Sequence, residues 1–367
     1  MTKDYAYGIE ETTPKPPPAW LKKQTAAELD AEEIRITYLV DKLLACVPTV
    51  IGGRFKTLKT LVSTDLVVSM SSGTSFLNRW KCTPIRVGVW SGESGKPALQ
   101  NAQRRICAAK GISTSDCQLD WHYTLPPLYD PKTIEILIET ILREKYGAVF
   151  VDPAYLCLLD GGSAGLAGNV FSMGHKLSPL SQINQITGCL MGLIHHFGKW
   201  TASNQEYGPA ELGELSQAGM AEWARQWLLL SRRSKYEMDG KHKLFLTAGG
   251  SLGQAYQLAL DVDEGPMDKD GYFRTRWDVG VRGITEAKEG DKGDKHADAL
   301  RILKDRFLGC LLADGDNVRK KICERVHVPL NDMSRWAFDE LIADGKVVIR
   351  QAANKQNKMV EMLAIAT

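Results

Sequence analysis

No two cysteines in this chain stand at CxxC spacing. All eight, at positions 46, 82, 107, 117, 157, 189, 310 and 323, are scattered through apolar or mixed stretches. That scatter argues against zinc-finger ligand sets and a disulfide framework, and predicts buried free thiols. Excess charge of either sign is also missing: 46 Lys and Arg against 44 Asp and Glu leave a net charge of +2. A global attraction to nucleic acid is thereby excluded, so any such surface must be local. No apolar run approaches the roughly 20 residues of a membrane span. The opening MTKDYAYGIEETTPKPPPAW has no apolar core of signal-peptide type, and the expectation is a reduced, cytoplasmic protein. No internal repeat is visible.

What is present is an ordinary globular composition, 44% hydrophobic and 25% charged. A length of 367 residues suggests two domains. Residues 1–24 are polar, carry PKPPP, and read as a flexible arm. Residues 25–262 alternate short β-branched runs with helical patterns. The runs are VPTVI, IRVGVW, GAVFVD, CLMGLIHH and WLLLS. Leu58, Val62, Leu66 and Met70 mark one helix face, Pro97 opens a second helix, and Ile134, Ile138 and Leu142 mark a third. Apolar runs without alternation indicate strands covered on both faces, hence an α/β fold with a mainly parallel sheet. Asp239-Gly240 signals a hairpin turn within 232–247. Residues 263–296 are charged and glycine-rich and read as a linker. Residues 297–367 read as three helices and a hairpin, the layout of a small winged-helix domain.

The chemistry concentrates after the first apolar run. Gly53-Arg54-Phe55-Lys56-Thr57-Leu58-Lys59-Thr60 fits the phosphate-loop pattern G-x-x-x-x-G-K-T except at Leu58. Such a loop aims backbone N–H groups at a phosphate, with a helix N-terminus behind it and a lysine against the terminal phosphates. Leu58 keeps its N–H, and the site is expected to work if its φ is negative and its side chain packs between sheet and helix. The nucleotide-binding residues are then Gly52, Gly53, Arg54, Phe55, Lys56, Thr57, Leu58, Lys59 and Thr60, with Thr60 on Mg²⁺. Glu93 follows the next run and could orient a water; a solvated surface carboxylate is the plain alternative. Asp152 follows four apolar residues, as a Mg²⁺-supporting carboxylate does, although a helix cap has the same look. His195-His196 end a further run, with Lys199 beyond; no third ligand supports a metal there. All of these fall at strand ends, where open α/β sheets bind ligands.

The order of these motifs resembles that of RecA-like AAA-family P-loop ATPases, similar to the RepA-type hexameric replicative helicases, over about residues 30–265. KTLKT is similar to a loop variant of that family. WSGESG, VFVDP and HHFGK resemble its glutamate, Walker B and sensor segments. LSQAGMAEWARQWLLLSRR resembles a segment ending in interface arginines. The resemblance implies Mg²⁺-dependent ATP hydrolysis, with Glu93 as the catalytic carboxylate, Asp152 on the metal and His196 as the γ-phosphate sensor. It implies an arginine supplied to a neighbouring subunit, with Arg225, Arg232 and Arg233 as candidates, and so a homo-oligomer, a hexamer favoured. Pore loops are expected at about 154–176 and 200–218, gripping single-stranded DNA, but only His175 and Lys176 in the first offer positive charge. Tyr236 within RRSKYEMDGKHK could suit single strands, with an exposed charged hairpin as the alternative. Ser334 and Arg335, at the start of the third C-terminal helix, and Lys355 and Lys358 beside the wing, are candidates for duplex contact, with protein contact equally open. Trp336 and Phe338 are expected as core or interface anchors. The other reading is a nucleotide-controlled DNA- or protein-binding switch with little turnover.

Overall fold

The computed structural model describes residues 23–158, 170–198, 207–353 and 357–366, without the side chains of 170–172, 292, 294 and 295. A short helix α1 (Ala26–Ala31) and a small antiparallel pair, β1 (Tyr38–Val40) and β2 (Leu44–Ala45), precede the main sheet. The sheet strands alternate with helices: β3 (Thr49–Gly53), α2 (Lys59–Ser72), β4 (Val87–Ser91), α3 (Lys96–Ala109), β5 (Leu119–His122), α4 (Pro131–Glu144), β6 (Ala148–Asp152), α5 (Tyr155–Leu158), α6 (Val170–Thr187) and β7 (Leu190–His196). Then follow α7 (Met220–Trp223), β8 (Gln226–Arg232), β9 (Lys241–Gly250), β10 (Ala255–Asp263) and β11 (Asp278–Gly283). Nine strands form one sheet in the order β11-β10-β9-β8-β3-β7-β6-β4-β5. From β8 to β5 every pairing is parallel; β9, β10 and β11 add an antiparallel wing.

The apolar runs become strands because both faces of the sheet are covered. Every residue of β3, β4 and β6 is buried. One core packs α2 and the β9–β10 wing against one face, and a second packs α4 and α6 against the other. The Asp239-Gly240 turn leads into β9, with Gly240 at φ +85°, where a side chain would be strained. Among the described residues no helix is long and apolar enough to cross a membrane. All eight cysteines are free, six of them buried.

The segment expected as a linker, 263–296, is structured. It holds β11 and the start of α8 (Ile284–Asp314), a 31-residue helix. Its strand is a polar edge in which Val279 is buried, so composition concealed it. The charged first turns of α8 are held by tertiary ion pairs: Asp291 meets Arg233 at 2.9 Å and Lys243 at 2.7 Å. Beyond it lie α9 (Arg319–Arg325), α10 (Asp332–Ala343) and the antiparallel pair β12 (Val347–Ala353) and β13 (Met359–Ile365). Together with the second half of α8 these form a separate core, in which Phe307 of α8 stacks on Phe338 with ring centroids 4.1 Å apart.

Behind the first turns of α2 lies a buried polar knot. Asp65 is 1% exposed. It pairs with the Lys110 ammonium at 3.0 Å, and accepts from the Trp277 indole at 2.6 Å and the Leu77 backbone N–H at 3.1 Å. Removing one member of a buried pair strands the other charge. Asp65→Ala is therefore expected to destabilise the fold by about 3–5 kcal/mol, read as a lowered urea midpoint with an unchanged slope.

Candidate functional site

The carboxyl ends of β3, β4, β6 and β7 meet at one edge of the sheet. Gly52 and Gly53 lie opposite His195 and His196 of β7, and opposite Leu229 and Leu230 of β8. Ser91 pairs with Asp152. Gly53 must be glycine: an added Cβ would lie 2.7 Å from the Thr57 hydroxyl and 2.9 Å from the Leu230 carbonyl. From there the chain turns into α2, whose first N–H groups have no intrahelical acceptor and face the loop.

Leu58 departs from the expectation of negative φ. Its φ is +60° and ψ +24°, the left-handed conformation that glycine adopts freely. The second condition holds, because its partly buried side chain packs against the core beneath the loop. Apolar packing thus offsets backbone strain, which no sequence pattern displays. The loop is closed on itself. Lys59 is buried and its ammonium donates to the carbonyls of Gly53 at 3.0 Å and Arg54 at 2.8 Å. The Thr57 hydroxyl donates to the Arg54 carbonyl at 2.8 Å, and the Arg54 guanidinium is held by Glu214 at 3.0 Å. Phe55 is 78% exposed.

A cleft of about 450 Å³ opens over this loop, and its lining includes Lys59, Thr60, Glu93, Asp152 and His196. The Thr60 hydroxyl donates to the Asp152 carboxylate at 3.3 Å. Glu93 is half-exposed, and its carboxylate lies 3.7 Å from His196 Nε2. The sequence-predicted loop, carboxylates and histidine are therefore brought together. Burial shifts their titration. Asp152 is pushed up to about 6 by desolvation and by the neighbouring Glu93 carboxylate, against the Thr60 hydrogen bond. Lys59 is pushed down to about 8, again chiefly by desolvation. His196 is lowered by burial and then by the Lys59 charge.

His195 has a different part. It is fully buried, and its Nε2 lies 2.9 Å from both the carbonyl and the hydroxyl of Ser216. Burial lowers its pKa to about 4, so it is neutral and structural, fixing the 207–218 segment against β7.

The three candidate arginines separate. Arg225 precedes β8, at the amino edge of the sheet, where its N–H bonds the Pro48 carbonyl at 2.9 Å. It stands a strand's length, roughly 20 Å, from the phosphate loop of its own chain. Arg233 is committed to Asp261 at 2.6 Å and Asp291 at 2.9 Å, with its side chain only 5% exposed, so it has no reach toward a neighbour. Arg232 lines the cleft itself, with Nη2 donating to the Lys56 carbonyl at 2.6 Å. Sequence reasoning missed His242 and Glu264, which line the cleft's far side, bonded to one another at 2.8 Å. A histidine entering an apolar strand was the available signal.

Other expectations fare unevenly. Lys199, Lys355 and residues 159–169 and 200–206 lie outside the described residues. Within the first expected pore loop, α5 and the start of α6 are helical, and His175 and Lys176 stand on α6. Tyr236 is engaged internally, stacked on His242 at 4.3 Å. Ser334 was expected at an exposed helix start; it is 1% exposed, because its hydroxyl and N–H complete a capping box with Asn331. Arg335 is exposed, and Trp336 stays 46% exposed beside His296, whereas Phe338 is core.

Two stability tests follow from this geometry. Leu58→Gly removes a left-handed penalty of roughly 1–2 kcal/mol and loses packing and unfolded-state restraint of similar size, so its unfolding free energy should stay within about 1 kcal/mol of wild type. Leu58→Ile keeps the penalty and adds β-branching, and should lose about 1–2 kcal/mol more. His195 has a folded pKa depressed from the ordinary 6.5 to about 4. Its contribution is fully present above pH 6.5 and is lost as pH falls toward 4, a loss of about 3 kcal/mol by linkage. In paired denaturant titrations His195→Gln should show a smaller loss of stability between pH 6.5 and 4 than wild type.

Comparison with known proteins bears on the family. No curated protein matches the chain. Among solved structures, a DnaB-like replicative helicase, described with its interactions with primase, is 13% identical with TM-score 0.43, covering 59% of this chain and 55% of that one. The match thus spans little more than half of that helicase. A second solved structure, an isolated ATPase domain, is 15% identical with TM-score 0.46, covering 67% of this chain and 94% of that domain. The AAA domain family matches residues 15–202, just over half of the 367 residues. Since that match takes in the phosphate loop and the strand ends that carry Glu93, Asp152 and His196, the protein belongs to the AAA domain family of P-loop NTPases.

Proposed function

We propose that the protein hydrolyses ATP in the cleft over the β3–α2 loop and couples hydrolysis to movement on, or remodelling of, DNA. The observation that carries this reading is the convergence of Lys59, Thr60, Glu93, Asp152 and His196 on one cleft from four separate strand ends. The loop amides and the N-terminus of α2 receive the phosphates. Lys59 exchanges its two loop carbonyls for phosphate oxygens, and the added negative charge restores its full protonation. Glu93, half-exposed and beside the loop, orients the attacking water and accepts its proton. His196, 3.7 Å from Glu93, feels any change at the terminal phosphate.

Mg²⁺ fits the donors present. Thr60 and Asp152 offer hard oxygens 3.3 Å apart, the donor type that Mg²⁺ prefers. The ion supplies charge neutralisation on the phosphates. A homo-oligomer, a hexamer by the sequence resemblance, is part of this reading, as are single-stranded DNA within the ring and a C-terminal module of winged-helix type. Light scattering with and without ATP tests the assembly.

The same C-terminal module supports a second reading, a nucleotide-controlled switch with little turnover, because α8 is clamped to the sheet by Asp291. Hydrolysis assays separate the two. Glu93→Gln should lower turnover by about 10²-fold or more while ATP still binds, and Lys59→Ala should lose binding. Single-stranded DNA should raise wild-type turnover. A wild type that binds ATP, turns over slowly and ignores DNA would decide for the switch.

A further inference from the structure

Three buried or half-buried arginines of this chain are held by carboxylates, whereas Arg274 spends its donors on the Gly265 and Met238 carbonyls. Arg233 has Asp261 and Asp291, Arg105 has Glu264 at 2.6 Å, and Arg54 has Glu214. Arg232 has neither a carboxylate nor a full set of neutral acceptors. No carboxylate pairs with it among the described residues. Its Nη2 donates to the Lys56 carbonyl, its guanidinium lies 5.1 Å from the centre of the Tyr236 ring, and its Nη1 is buried without a hydrogen-bond partner. Taking a guanidinium out of water without an anion is costly, and burial accordingly lowers its proton affinity.

Two facts say where the missing anion belongs. Arg232 lines the same cleft as Lys59, Thr60 and Glu93. Its position is also fixed within its own chain: β8 lies parallel to β3 with Leu230 opposite Gly53, so Arg232 stands two residues past the register point at which the phosphate loop begins. Arg232 and Lys59 share a peculiarity, since both cations rest on carbonyls of the loop that separates them. A carbonyl oxygen is a neutral acceptor, and a phosphate oxygen offers these cations the opposite charge that the carbonyl lacks.

We propose that Arg232 binds the polyphosphate of the nucleotide held in its own chain's loop, and does not complete the site of a neighbouring subunit. The inference rests on the ATP-binding reading above and assigns one residue's place in it. A guanidinium can hold the Lys56 carbonyl with one nitrogen and a phosphate oxygen with another, and so tie loop and ligand together.

The test is binding of a fluorescent ATP analogue to wild type, Lys59→Ala, Arg232→Ala and Arg232→Gln, with melting curves for each. The glutamine keeps an amide donor for the Lys56 carbonyl and loses the charge. Both Arg232 variants should bind at least tenfold more weakly than wild type while melting within a few degrees of it. An equimolar mixture of Arg232→Ala with Lys59→Ala should hydrolyse ATP no faster than its parents, because no subunit in it carries both residues. Wild-type affinity in both Arg232 variants, or recovery of hydrolysis on mixing, overturns the proposal and puts Arg232 to work in trans. Failure of wild type itself to bind the analogue would instead remove the ATP reading, and this assignment with it.

Discussion

The Asp65 carboxylate underlies the nucleotide site although it never touches the cleft. It sits within the helix that begins at Lys59 and gathers Lys110 from beyond α3, Trp277 from ahead of β11, and the backbone of Leu77. A helix N-terminus can serve a phosphate only if its first turn is held still relative to the strand before it. Van der Waals contacts of α2 with the sheet supply burial but little directionality. The buried ion pair and its charge-assisted hydrogen bonds fix rotation and height. The strained Leu58 is tolerable in that setting, because a helix anchored from behind leaves the loop no room to relax.

On the cleft side the electrostatics are unbalanced. Burial moves Asp152 up to about 6 and Lys59 down to about 8, so each charged form is disfavoured by the same loss of water. Lys59 and Arg232 meanwhile commit donors to loop carbonyls. Both signs of charge therefore meet at one strand edge with little water around them.

β8 delivers its last residue, Arg232, to the cleft, and the next residue, Arg233, reaches α8. One arginine touches the phosphate loop, and its neighbour just past the strand holds Asp261 and Asp291. The path from the cleft to the long helix that opens the C-terminal region is therefore one peptide unit. Lys243 adds a second hold on Asp291. The charged turns of α8, unremarkable by composition, are ordered through these contacts.

The five parallel-strand runs, the helix face of α2, the proline start of α3, and the placing of Lys59, Thr60, Glu93, Asp152 and His196 at strand ends were legible in the sequence, whereas α4 buries Ile134, Leu137 and Ile141 and leaves the expected Leu142 exposed. The reason for the legible part is that local pattern and local structure coincide there: apolar runs need a two-sided cover, and each of these side chains follows closely on the end of such a run. The edge strands β5 and β11, the charged half of α8, the burial of Ser334 and the separate fates of Arg225, Arg232 and Arg233 were not. Each depends on partners far away in the chain, such as Asp261 and Asp291 for Arg233, and sequence distance carries no record of them. What the sequence by itself determined is the order of elements and the chemistry at the strand ends, because both are written within a few residues. Only the tertiary structure decided that Leu58 stands at positive φ, that His195 is structural while His196 faces the cleft, and that Arg232 turns toward its own loop, because packing and strand register alone set those choices.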